Sequence, residues 1–246
     1  WLAATRLSDG HGVAVPANLC LRTLAASGVQ VSSLGCAAGH TGPDAVRSAL
    51  FELIERDAVA LWWHGGTPPL QIPQAARTEA QSLLAMARQG RTGRVTRFLA
   101  LQSICEVPVV CAVSHGADGK AVALGFGAAG NLGAAAVKAL MELLQMEVGN
   151  RIVSMKAERQ GPGNLSAADA EIWQRLLLFD ASMPAFQPGG SIVAQPDLPV
   201  TQIAGKLGDA GVQVYAADLY RHGAGLPVVK LIAPFLQPLP GQIETE

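Results

Sequence analysis

The chain has 246 residues and a mass of 25.5 kDa, enough to bury a core without disulfide or metal staples. Half of its residues are apolar, 15% are charged and the formal net charge is −1, so no basic footprint for nucleic acid or an anionic membrane is present. Mean hydropathy is positive at +0.28, yet Gly, Pro or a charge interrupts each apolar run before the roughly 20 residues that a bilayer span requires, and the chain reads as soluble.

The four cysteines, Cys20, Cys36, Cys105 and Cys111, form neither a CxxC pair nor a zinc-type spacing with histidine and read as small core side chains. With no signal peptide and no initiator methionine before Trp1, the expectation is a cytoplasmic protein given without its natural N-terminal segment.

In chain order, the turn signal Asp9-Gly10 before alternating apolar residues predicts a hairpin or strand entry at Leu7–Pro16. A small-residue loop, Ser33–Gly42, leads to a long helix that starts at Pro43 and Asp44 and reaches Trp63. A second helix is expected over Gln74–Gln89, then strands near Phe98–Gln102, Val107–Ser114 and Ala121–Phe126, the last after an Asp118-Gly119 turn.

Gly127–Gly133 opens a further helix, Ala134 to about Met155, and its glycine-rich entry is organised like the loop before the first long helix without being a sequence repeat. After the break at Gly161-Pro-Gly163, an amphipathic helix is expected near Ala167–Leu178 and strands at Val212–Asp218 and Leu226–Ile232. This mixture predicts a mixed α/β (α+β) domain with no clean linker, a single unit over residues 1–246.

Asp44, Ser48, Glu52 and Glu55 follow one another at spacings of four, four and three, which lines them on one face of the first long helix. Hard oxygen ligands at this spacing suit magnesium, and Arg56 beside them suits a phosphate. A solvated helix face explains most such stripes, and from spacing alone it is the favoured reading. Lys138, Glu142 and Gln145 repeat the pattern on the later helix, where an ordinary exposed face is again the plain alternative.

No Gly-Lys-Ser/Thr closes either glycine loop, and Gly125-Phe-Gly-Ala-Ala-Gly130 is a weak match to GxGxxG. The histidines, His11, His40, His64, His115 and His222, form no nucleophilic arrangement. Clustered carboxylates also hold hydrolytic metals, but no His-rich set favours a metal-dependent hydrolase.

The run Ser33-Leu-Gly-Cys-Ala-Ala-Gly-His-Thr-Gly-Pro-Asp-Ala, continuing into Ser48-Ala-Leu-Phe-Glu-Leu-Ile-Glu-Arg-Asp57 and Trp62-Trp63, resembles the signature region of the YcaO family. Gly125-Phe-Gly-Ala-Ala-Gly, Lys138-Ala-Leu-Met-Glu-Leu-Leu-Gln145, Asp218-Leu-Tyr and Gly225-Leu-Pro-Val-Val-Lys230 with Pro234 agree in order and character. The resemblance implies acid-bearing helices packed on mainly antiparallel sheets. It also implies an enzyme that uses ATP and Mg2+ without a P-loop.

By that resemblance Glu52, Glu55 and Arg56 are the catalytic residues, and Asp44, Glu52, Glu55 and Glu142 are metal ligands. The nucleotide site then includes His40, Asp44, Ser48, Glu52, Glu55, Arg56, Glu142 and Gln145, with Glu142 and Gln145 facing the first stripe. His40 stands where the family commonly has Asn, Asp44 is one methylene shorter than the usual Glu, and Glu147 stands where an arginine is common. The family's upstream acid-bearing helix has no counterpart before Trp1, and Gly241–Glu246 replaces the proline-rich end of many azoline-forming members.

The activity implied is ATP-dependent activation of peptide-backbone amides, chiefly cyclodehydration of Cys, Ser or Thr to azolines in a ribosomally made precursor peptide. A leader-binding partner protein is expected, and a homodimer is allowed for. Thioamide formation with a TfuA-like partner, and a non-catalytic scaffold or binding module, are the alternatives. Nucleic acid and membrane are not expected as partners.

Overall fold

The computed structural model describes residues 1–21, 32–91, 93–194, 196–220, 223 and 225–236. His222 and the tail over 237–246 lie outside the described residues. The elements, in order, are β1 (Leu2–Arg6), β2 (Gly12–Val15), β3 (Cys36–Ala38), α1 (Gly42–Trp63), β4 (Leu70–Gln71), α2 (Gln74–Arg88), β5 (Arg94–Leu101), β6 (Val109–Gly116), β7 (Ala123–Ala128), α3 (Leu132–Gln160), α4 (Ala167–Leu178), α5 (Val200–Asp209), β8 (Tyr215–Asp218) and β9 (Val228–Ile232).

Contacts divide the chain into two compact units. Trp1–Ala60, Ser103–Val107 and Asp197–Glu246 make the first; Leu61–Gln102 and Pro108–Pro196 make the second.

The first unit carries a five-stranded sheet in the order β2-β1-β8-β9-β3, antiparallel at every pairing. Its β1–β2 hairpin turns where Asp9-Gly10 predicts. Gly10 takes φ +73°, the left-handed conformation that glycine adopts without a Cβ clash, while Asp9 accepts the His11 N–H at 3.0 Å and pairs with Arg6 at 2.6 Å. Ala4, Val15, Cys20 and Ala217 form a small buried cluster there.

The second unit carries the antiparallel sheet β4-β5-β6-β7. One face of it, with Phe98, Ala100, Val110 and Ala112, packs in a single core with Ala80 of α2 and with Ala135, Ala136, Ala139, Leu140 and Leu143 of α3. Small residues permit an unusually close approach of helix to strand. A Cβ on Gly125 would stand 2.2 Å from the Leu143 nitrogen, and one on Gly127 2.5 Å from the Ala135 carbonyl oxygen. The Trp62 indole N–H donates to the Ala185 carbonyl at 2.9 Å, and its ring meets those of Trp63 and Phe126 edge-on at 5.5 and 6.2 Å.

The fold is the expected mixture of helices and antiparallel sheets. Several details differ from the sequence reading, the short strand β4, which it did not expect, among them. Gly127 belongs to β7 rather than to a helix entry, Cys36 is exposed while the other three cysteines are buried, and α5 and β3 had no counterpart among the expected elements. Among the described residues, no helix is long and apolar enough to cross a membrane.

Candidate functional site

Helix α1 starts with a capping box. Thr41 Oγ1 accepts the Asp44 N–H at 3.2 Å, and Asp44 Oδ2 accepts the Thr41 N–H at 3.1 Å and its hydroxyl at 2.7 Å. The two bonds from main-chain N–H groups satisfy donors that the helix start leaves without an intrahelical partner. Asp44 therefore has a structural task at the position where the family resemblance expects a metal ligand. His40, in the loop just before it, and Ser48, one turn further along, are exposed.

Glu52, half-buried on the same helix, accepts the Gly35 N–H through Oε2 at 3.1 Å. Gly35 has φ +74°, and a Cβ there would stand 2.6 Å from the Leu231 carbonyl oxygen, so glycine is required both by conformation and by space. Glu55 lies 3.8 Å from the Arg56 Nε, both half-buried.

In the second unit, Glu142 of α3 accepts the Phe126 N–H of β7 through Oε2 at 2.6 Å. Gln145, one turn on, is exposed. Lys138 donates to the Ala128 carbonyl at 3.0 Å.

The two arrangements share several residues at one constant spacing along the chain: Gly35 with Gly125, Ala45 with Ala135, Ala49 with Ala139, Leu50 with Leu140, Glu52 with Glu142 and Leu53 with Leu143, and a cap Thr41 stands where the other has cap Asn131. In both, a strand and a short loop precede a helix whose glutamate accepts a backbone N–H from the strand or its approach. The likeness in organisation visible in the sequence rests on positions that are mostly buried, small and apolar.

Glu147, where the family commonly has arginine, is held by Arg88, whose two terminal nitrogens donate to its two oxygens at 2.7 and 2.6 Å. Arg94 Nε at 3.2 Å and the buried Ser114 hydroxyl complete the set. Burial pushes the Glu147 carboxyl up, but the bonds from Arg88 and Ser114 and the charges of Arg94 and Arg88 outweigh it and hold the group below its ordinary value. Burial in turn lowers the Arg94 guanidinium, against the pull of Glu147. Sequence reasoning missed this cluster because Arg88, Arg94 and Ser114 lie 59, 53 and 33 residues before Glu147.

Among the described residues, no three His, Cys, Asp or Glu side chains gather closely enough to hold a metal ion by themselves. Magnesium that carries phosphate oxygens and waters needs only one or two carboxylates. Within the first unit Glu52, and within the second Glu142, is a hard-oxygen donor of that kind, each with Oε2 fixed by a backbone amide.

The family model described as YcaO cyclodehydratase, ATP- and Mg2+-binding, matches residues 1–237. The chain belongs to the YcaO family. Among solved structures, a heterocyclase in complex with substrate and cofactor is similar to it at 23% identity and a TM-score of 0.76, over 97% of this chain and 33% of that one. The heterocyclase TruD is similar at 24% identity and TM-score 0.68, over 96% and 34%. YcaO from Methanopyrus kandleri bound with AMPPCP and Mg2+ is similar at 22% identity and TM-score 0.66, over 96% and 64%. The chain thus spans about a third of the first two and less than two thirds of the third. No curated protein sequence matches it. These likenesses establish the YcaO fold, and the family is one that binds ATP and Mg2+.

Proposed function

We propose that this YcaO chain binds ATP and Mg2+ and activates peptide-backbone amides by phosphorylation, chiefly to convert Cys, Ser or Thr of a ribosomally made precursor to azolines. The family match over residues 1–237 carries this reading. In the reaction, the side-chain sulfur or oxygen adds to the preceding carbonyl carbon. The carbonyl oxygen takes the γ-phosphoryl group from ATP with release of ADP, and leaves as phosphate as the C=N bond forms. The peptide loses one water in total. Magnesium supplies charge to offset that on the transferring phosphoryl oxygens.

The residues proposed for this work are those carried over from the family. Glu52 and Glu55 on α1 and Glu142 on α3 offer hard oxygens to the metal, with Asp44 contributing beyond its cap. The Arg56 guanidinium presents a planar fork to phosphate. His40, Ser48 and Gln145 supply polar contacts to the nucleotide. The proposed setting is the cytoplasm, with a leader-binding partner delivering the peptide.

The test is to combine the full-length protein, the partner and the precursor with MgATP and follow peptide mass. Loss of one water per modified residue is expected. Exchange of oxygen for sulfur would move the assignment to thioamide formation with a TfuA-like partner, and an unchanged mass would overturn the enzymatic reading.

A further inference from the structure

Lys230 is a charged side chain in an unusual place. It lies in β9, between β8 and β3, and is only 6% exposed. Burying an ammonium costs several kcal/mol unless its donors are satisfied. Two of the three are satisfied here by main-chain oxygens: Nζ donates to the Ser32 carbonyl at 2.8 Å and to the Leu34 carbonyl at 2.6 Å. The Leu34 carbonyl and the Gly35 N–H belong to one peptide group, and that N–H is the donor to Glu52. The next carbonyl, that of Gly35, accepts the Leu231 N–H at 2.7 Å.

We infer that Lys230 is a positioning residue for Glu52, acting through the Leu34–Gly35 peptide. The ammonium sits at the oxygen end of that peptide and the carboxylate at its hydrogen end. Hydrogen bonds in series polarise one another, so the cation strengthens the N–H that the glutamate accepts. The bonds from Lys230 and Leu231 hold this backbone from both sides. With Oε2 committed to Gly35, the rotation of the Glu52 carboxylate is set, and Oε1 is the oxygen left to present to a cation. A lysine that only filled space would need no such alignment. This inference deepens the proposed function and rests on Glu52 being a ligand of Mg2+ and ATP.

The test uses the full chain and two readouts. In Lys230→Met, the Gly35 amide proton should move upfield and exchange faster with solvent, while the Phe126 amide, which holds Glu142 in the second unit, stays unchanged. MgATP affinity by calorimetry should fall about tenfold or more, the range seen when a residue orienting a metal ligand is removed, and Lys230→Arg should recover part of it. Glu52→Gln, which keeps an acceptor for Gly35, should weaken MgATP binding, and adding Lys230→Arg to it should produce little further loss.

An unperturbed Gly35 amide in folded Lys230→Met would overturn the inference, as would additive losses in the double variant. If Lys230→Met does not fold, Lys230→Arg with and without Glu52→Gln decides the matter by the same two readouts. Should the wild-type chain bind no MgATP, the nucleotide reading fails by itself, and the Gly35 amide still reports whether Lys230 acts on that peptide.

Discussion

Gly125 lies so close to Leu143 that no side chain fits between them, the hypothetical Cβ falling 2.2 Å from the Leu143 nitrogen. This approach of β7 to α3 is what lets the Phe126 N–H reach Glu142 at 2.6 Å. Gly125→Ala is expected to force the helix off the strand at about 1–3 kcal/mol, as overpacking does. It should also quicken hydrogen exchange at Phe126. Chemical denaturation with amide exchange checks both, and a variant as stable as wild type with a protected Phe126 amide would contradict the packing account.

MgATP at 100 times its dissociation constant should stabilise the native chain by about 2.7 kcal/mol. Glu52→Gln and Glu55→Gln should each sharply reduce that gain while leaving the nucleotide-free melting temperature close to wild type. Differential scanning calorimetry with and without MgATP makes the comparison. Undiminished stabilisation in both variants would remove these residues from the site.

Glu147→Gln leaves Arg88 and Arg94 partly buried without their counter-charge, an expected loss of about 3 kcal/mol, the scale for breaking a buried ion pair. Because the folded carboxyl lies below its ordinary 4.5, its stabilising effect is fully present above that value and is lost as pH falls through the folded value. The gap in melting temperature between wild type and variant should hold near neutrality and close in acid. A gap that stayed constant down to strongly acid pH would show that the charge contributes nothing.

Thiol labelling should separate the cysteines. Cys36 is exposed, whereas burial pushes the Cys105 thiol up to about 11 and Cys111 higher still, which keeps both from forming the reactive thiolate. In the native chain an alkylating reagent at neutral pH should modify Cys36 first and reach Cys105 and Cys111 only on unfolding. Mass mapping after a short pulse gives the order.

The long helices were legible because their signals are local. Pro43 and Asp44 mark the start of α1, which ends at Trp63 as expected, and α4 has the bounds that its periodicity implies. Helix α3 runs beyond both expected ends, from Leu132 to Gln160; Gly133 is tolerated inside its first turn. Helix α5 was hidden by Gly205 and Gly208, although Ile203, Ala204 and Leu207 keep helical spacing and are buried. Strand β3 is Cys-Ala-Ala, with little intrinsic strand preference, and exists through its pairing with β9. The carboxylates of the candidate site could be named from the sequence, but their anchors could not. A glutamate bound by the amide of a residue far back along the chain leaves no mark in side-chain spacing.

That mode of anchoring has a bearing on how such a chain can vary. Main-chain amides are common to every residue except proline, so the identity of residue 126 can drift without loosening its grip on Glu142. Selection then bears chiefly on the glycines beside it, Gly125 and Gly127, whose missing β-carbons make room for α3. Relatives that share little else are expected to keep that bareness.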